Sequence, residues 1–252
     1  MKFLSKSVLA FVLLLAFSSL AQDMNPEAGK LYNDGNALLK AGDYQAAIDK
    51  YNNALTIEKD YRIYYQLGVS QKKAGNLQAA QSSFEECIKL KDGFESGYNA
   101  LGGVYFSLGN YSQSIIEFEK VLKLTDNPDV TKMVQKNLSL AYKKLSDEQI
   151  TNKNSAKAIE YLNKSVEYDN YDAAYLSLAK TYSEIGEWDK SIAASENALK
   201  YITKITTGGP YYYMGMAYKG KGDKVKAKEM FQQAKTDTTY KKAAEYELSL
   251  LK

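Results

Sequence analysis

The stretch AGDYQAAIDKYNNALTI, residues 41–57, decides the fold because the chain keeps rewriting it. Close variants stand at GNLQAAQSSFEECI (75–88), GNYSQSIIEFEKVL (109–122), GEWDKSIAASENAL (186–199) and GDKVKAKEMFQQAK (222–235). Each opens on Gly, continues with small residues and places a bulky apolar residue one helical turn further on. Ahead of each lies a second periodic segment, as in LYNDGNALLK (31–40), YYQLGVSQKK (64–73) and YNALGGVYFS (98–107). Apolar and small residues recur there at three and four, the period of an amphipathic helix. The unit therefore reads helix, tight turn with Gly, helix. Gly42, Gly75 and Gly109 mark three successive turns, one unit apart each time. Between Gly109 and Gly186 there is room for two units and a remainder, and KNLSLAYKKL (136–145) with NSAKAIEYLNKSV (154–166) supplies the degenerate copy. A longer turn, SDEQITNKNS (146–155), is expected inside that copy, and TTGGPYY (206–212) adds residues before the last one.

A single such unit cannot bury its apolar face, so copies must stack, and stability becomes a sum of neighbour interfaces. This pattern resembles the tetratricopeptide repeat, which has an opening aromatic, a small residue and an aromatic in its first helix, then Ala and a bulky residue in its second. The opening aromatic is matched by Tyr64, Tyr98, Tyr175 and Tyr211, and the small residue by Gly35, Gly68, Gly102, Ala179 and Gly215, with Ser139 in the degenerate copy. The close-contact residue of the second helix is Ala47, Ala80, Ser114, Ala158, Ser191 and Ala227. Its bulky partner is Tyr51, Phe84, Phe118, Leu162 and Phe231, while Ser195 departs from the pattern and the terminal Pro of the family motif is absent from every copy. The expected fold is all-α, a right-handed superhelix of six units (28–60, 61–94, 95–128, 129–170, 171–206 and 207–237) closed by a capping helix over 238–252.

Residues 1–21 read differently. Lys2 and Lys6 precede an apolar run from Val8 to Phe17 and a Ser-Ser-Leu-Ala close, the pattern of a secretory signal peptide cut after Ala21. The run is shorter than the roughly 20 residues that span a bilayer. Residues 22–27 then form a short linker, and no membrane attachment is expected after cleavage. The expected location is the periplasm of a bacterial cell, with full secretion as the alternative.

Composition excludes several functions. Without the two leader lysines, 31 basic residues face 30 acidic ones, so no bulk charge attracts nucleic acid. The chain contains no His, which removes the commonest general base and the commonest metal ligand together. Its single cysteine, Cys87, occupies the small-residue position held by Ala54, Ala198 and Ala234 elsewhere, and reads as a buried core thiol. The carboxylate pairs Glu85–Glu86 and Glu117–Glu119 sit among lysines on second helices, the mark of a solvated face. No catalytic set, cofactor or metal site is expected.

What remains is a surface. The resemblance implies that the first helices line a concave groove that holds a peptide or a partner protein. On that reading the groove residues are Tyr32, Asn36 and Leu39, then Tyr65, Val69 and Lys72, then Asn99, Gly103 and Phe106. The later copies contribute Lys136, Leu140 and Lys143, then Leu176, Lys180 and Ser183, then Tyr212, Met216 and Lys219. The best-known peptide mode of the family clamps a terminal carboxylate with Lys and Asn. Here Tyr32 replaces the first Lys, Asn36 fits, and later copies lack the rest, so that clamp is not expected. Charge favours the same wall: the first helices carry 12 basic residues against 4 acidic, the second helices 12 against 10. An acidic partner would therefore be drawn to it. The function implied is a non-catalytic interaction scaffold of the cell envelope, with a chaperone-like assembly factor for exported or outer-membrane proteins as the alternative. The sequence names neither the partner nor the oligomeric state.

Overall fold

A computed structural model describes residues 24–251, so the leader expected over 1–21 lies outside the described residues. Among the described residues there are thirteen α-helices and no strand. In chain order they are α1 Pro26–Ala41, α2 Tyr44–Ile57, α3 Tyr61–Lys73, α4 Leu77–Leu90, α5 Glu95–Ser107, α6 Tyr111–Leu124 and α7 Pro128–Thr151. There follow α8 Ser155–Tyr168, α9 Asp172–Glu184, α10 Trp188–Lys200, α11 Gly208–Gly220, α12 Lys224–Ala234 and α13 Lys241–Leu250. Each odd helix from α1 to α11 pairs with the even helix after it, α13 packs on α12, and each pair packs on the next, so the core is a row of small clusters rather than one centre.

The turns explain the spacing of the glycines. Gly42, Gly75, Gly109, Gly186 and Gly222 all have φ between 79 and 84°, the left-handed conformation that closes a helix at little cost without a Cβ. Asp43, Asn154 and Asp223 then cap the helix that follows, each accepting a bond from a backbone N–H three residues on. Pro26 and Pro128 take first helical positions, and Pro210 falls in the first turn of α11, where a missing N–H leaves no helical bond unmade.

One expectation is corrected. The long turn expected over 146–155 is mostly helix: α7 continues to Thr151, and only Asn152–Asn154 turn. The segment holds neither Gly nor Pro, and Leu145 and Ser146 are buried, so the helix gains by continuing along α8. The left-handed position is filled by Lys153 at φ 57°, the only such non-glycine residue among the described residues. The extra residues of the degenerate copy are thus two more helical turns rather than a loop.

The small residues act as expected. In four units the glycine of the first helix faces an aromatic ring of the second. A Cβ added at Gly35 would stand 2.6 Å from the Tyr51 ring, at Gly68 2.7 Å from Phe84, at Gly102 2.8 Å from Phe118 and at Gly215 2.7 Å from Phe231. All four rings are buried. Cys87 is also fully buried, and burial pushes its thiol up to about 12, which leaves it protonated and unreactive at neutral pH.

Candidate interaction groove

The helices α3, α5 and α7 stand side by side and leave a cavity of about 600 Å³ between them. Seven residues expected in the groove line it: Tyr65, Val69 and Lys72 from α3, Asn99, Gly103 and Phe106 from α5, and Leu140 from α7. The Phe84 and Phe118 rings form part of its lining, having passed through the gaps left by Gly68 and Gly102. Periodicity thus puts one stripe from each of three helices on a common wall. Asn137 and Lys73 line it too and were not anticipated, although Asn137 is three residues from Leu140 and so shares its stripe.

Among the described residues, two polar groups in this cavity have neither a hydrogen-bond partner nor an ion pair. Asn99 Oδ1 is buried with no hydrogen-bond partner, a state that costs free energy until something donates to it. The Lys72 ammonium lies close over Gly103, where an added Cβ would sit 3.3 Å from Nζ, and among the described residues it makes no ion pair. Lys73 leans over the Tyr44 ring at 5.8 Å. Tyr65 packs its ring against Phe84 at 5.8 Å and Phe94 at 5.3 Å, and burial raises the pKa of its phenol. It therefore both supports the wall and belongs to it.

The other expected groove residues are engaged elsewhere. Tyr32 packs against the Tyr51 ring at 6.0 Å, and Asn36 Oδ1 accepts the Tyr51 hydroxyl at 2.7 Å, so the first copy spends both on its own core. Lys143 is neutralised by Asp147 at 2.7 Å, and Lys180 faces Glu184 at 3.9 Å. Lys219 pairs with Glu247 of α13. Tyr212 and Met216 pack on the Phe231 cluster, with Tyr240 5.5 Å from the Tyr212 ring. The capping helix and the turn before it have thus taken the partners that the last copy offered. Leu176 is covered as well, because Gly209 comes close enough that an added Cβ would meet it at 3.0 Å. Gly208 and Gly209 are close-packing residues, with Asp237 2.2 Å from a Cβ built at Gly208.

Lys136 lines a second cavity, of about 450 Å³, together with Lys132, Ser139 and Leu140 of α7. Its far side is built from the turns at Asp169–Tyr171 and Thr203–Lys204. The second turn is fixed by Asp172, which is fully buried. Its Oδ2 accepts from the backbone N–H of Thr203 at 2.7 Å, Lys204 at 2.6 Å and Ile205 at 3.2 Å, and from the Thr203 hydroxyl at 3.1 Å. Burial alone would raise the carboxyl, but these donors outweigh it and hold it below the ordinary carboxylate range. Lys132 lies one turn before Lys136 on α7 and so shares its stripe, whereas nothing local in the sequence tells that Asp172 reels in the turn of Lys204 from more than thirty residues away. Among the described residues no group of His, Cys, Asp and Glu could hold a metal, and no helix is long and apolar enough to cross a membrane.

Tetratricopeptide repeat family models match residues 61–93, 96–128 and 139–172, and a second model of the same repeat matches 211–237, together just over half of the chain. The small glutamine-rich tetratricopeptide repeat-containing protein 2 of Mycosarcoma maydis is 26% identical over 133 residues, 52% of this chain and 37% of that protein. The Hsp70-Hsp90 organizing protein of Triticum aestivum is 31% identical over 94 residues, 37% of this chain and 16% of that protein. This chain therefore spans well under half the length of either relative. The solved structure of MamA from residue 41 onward, from Desulfovibrio magneticus RS-1, superposes with a TM-score of 0.51 at 23% identity, covering 70% of this chain and 94% of that one, and shares its fold. With the repeat seen in the sequence, in the helix pairs and in the family match, the chain belongs to the tetratricopeptide repeat family, whose members mediate protein–protein interaction.

Proposed function

We propose that this protein is a non-catalytic scaffold of the bacterial cell envelope that holds a peptide segment of a partner protein in the groove between α3, α5 and α7. The observation that carries this reading is the cavity itself. It joins an apolar surface from Val69, Phe106 and Leu140 to the unpartnered Asn99 Oδ1 and the unpaired Lys72 ammonium. Such a wall suits an extended chain that brings an apolar side chain, an N–H donor for Asn99 and a carboxylate for Lys72. The envelope assignment rests on the leader read in residues 1–21. The chaperone-like alternative draws on the adaptable apolar half of the same lining.

Affinity capture from envelope extract tests both readings, with the parent beside Tyr65→Ala/Lys72→Glu/Asn99→Ala. A protein retained by the parent and lost by the folded variant supports the scaffold. Equal capture by both overturns the groove assignment. Capture by neither, with suppression of aggregation of an unfolded envelope protein by the parent alone, favours the chaperone-like reading. Sequencing the exported protein should find Gln22 at its N-terminus.

A further inference from the structure

The geometry points to a second, cationic subsite beside the groove, the cavity of Lys132, Lys136 and Lys204, which receives the acidic stretch of the same bound peptide. Lys132 and Lys136 stand one helical turn apart on α7, so their ammonium groups repel rather than support each other. Lys204 is brought opposite them by the turn that Asp172 fixes. Some lysines of the molecule are neutralised by an acid, as Lys50 is by Asp34, Lys89 by Glu86, Lys120 by Glu117 and Lys164 by Glu167, but what sets this cavity apart is that three lysines line it together. Among the described residues these three make no ion pair, and all are exposed. Asp169 alone brings an acid to the rim, and the Asp172 carboxylate behind it is occupied by its four donors.

The charges sit on two elements, Lys132 and Lys136 on α7 and Lys204 on the facing turn, and so suit several separate carboxylates of one chain. Asn170, Tyr171 and Thr203 add neutral polar groups along the walls, as suits a chain with several acids in succession. Leu140 lines both cavities, so one extended peptide can lay an apolar residue on Phe106 and Leu140 and its acids among the lysines. The link between the subsites rests on the groove reading, but the cationic site does not.

Fluorescence anisotropy with two labelled probes, a Leu-Phe pair joined to a run of glutamates and the glutamate run alone, tests the site. In Lys132→Gln/Lys136→Gln/Lys204→Gln both probes should bind about tenfold more weakly, with a shallower dependence on salt, as expected for three lost surface attractions. A control, Lys123→Gln/Lys224→Gln/Lys228→Gln, removes the same charge from exposed positions on second helices and should bind like the parent. Parent-like binding by the first variant overturns the site, and an equal loss in the control shows bulk charge instead. Failure of the glutamate run to bind the parent, with binding of phosphatidylglycerol vesicles, overturns it in favour of a lipid surface. Tyr65→Ala/Phe106→Ala should weaken only the Leu-Phe probe. If it leaves that probe unchanged while the lysine variant loses both, the groove reading fails and the cationic site stands.

Discussion

The joint between α3 and α4 and the joint between α9 and α10 solve one packing problem in opposite ways. In the first, Gly68 has no side chain, and the Phe84 ring fills the gap and reaches the concave wall. In the second, Ala179 supplies its own Cβ and Ser195 stands where the ring would be, with its hydroxyl turned back to the Ser191 carbonyl at 2.9 Å. Ser191 in turn donates to the Ala179 carbonyl at 2.8 Å, so the close approach is kept by hydrogen bonds. The vacated volume is taken from the next unit, where Tyr213 of α11 packs against the cluster that holds Ala179. The consequence is functional. α3 and α5 each take a ring from their own second helix and lean little on each other, and with α7, whose second helix offers Leu162, they leave a cavity between them. Without the ring, α11 leans on α9 and the groove closes there.

Removing the ring should break the first joint most severely. Phe84→Ala is expected to cost about 4 kcal/mol in urea unfolding, the range for deleting a buried aromatic side chain. A loss below about 1 kcal/mol would mean that the gap collapses and that the ring does not hold the two helices apart. Installing a ring in the second joint should do less damage, because some of it can be relieved. Ser195→Phe alone should cost about 2–3 kcal/mol by overpacking against the Ala179 methyl and Tyr213. The double variant Ala179→Gly/Ser195→Phe should recover at least about 1 kcal/mol of that, a coupling that independent sites would not show.

The smallest effect concerns pH and sharpens the contrast in how the turns are held. Asp172 is buried and has a folded pKa lowered below its ordinary value of 3.8. A group with a depressed pKa contributes stability above its unfolded value and loses it as pH falls through the folded one. The parent should therefore lose stability relative to Asp172→Asn as pH drops below 3.8, with no such divergence near neutrality. The protection of the Thr203, Lys204 and Ile205 amides against exchange, taken relative to the intrinsic rate at each pH, should fall over the same range. Unchanged protection in acid would show that the turn is held by something other than the carboxylate.

Much of the candidate site was legible in the sequence. Tyr65, Val69, Lys72, Asn99, Gly103, Phe106 and Leu140 meet in one cavity because positions three and four apart on a helix share a face. The charges were harder to read. Lys143, Lys180 and Lys219 belong to the same stripe, but each finds an acid, Asp147 and Glu184 one turn along and Glu247 on another helix. The stripe says where a side chain starts and not what its end will meet. Lys132 shares the α7 face of Lys136 one turn away, but Lys204 joins them only through the bonds from a distant turn to Asp172, for which no periodic signal exists.

Sequence alone determined the repeat, the turns that carry Gly and the pairing of glycine with ring, because these follow from helical period and from side-chain volume at fixed spacing. It also removed histidine chemistry from consideration. Only the tertiary structure decided which stretch of the groove is open. That depends on contacts between helices of different units, on Gly208 and Gly209 admitting α11 against its neighbours and on α13 covering Lys219. Such contacts join residues whose separation along the chain carries no period, and their outcome appears only when every unit is packed at once.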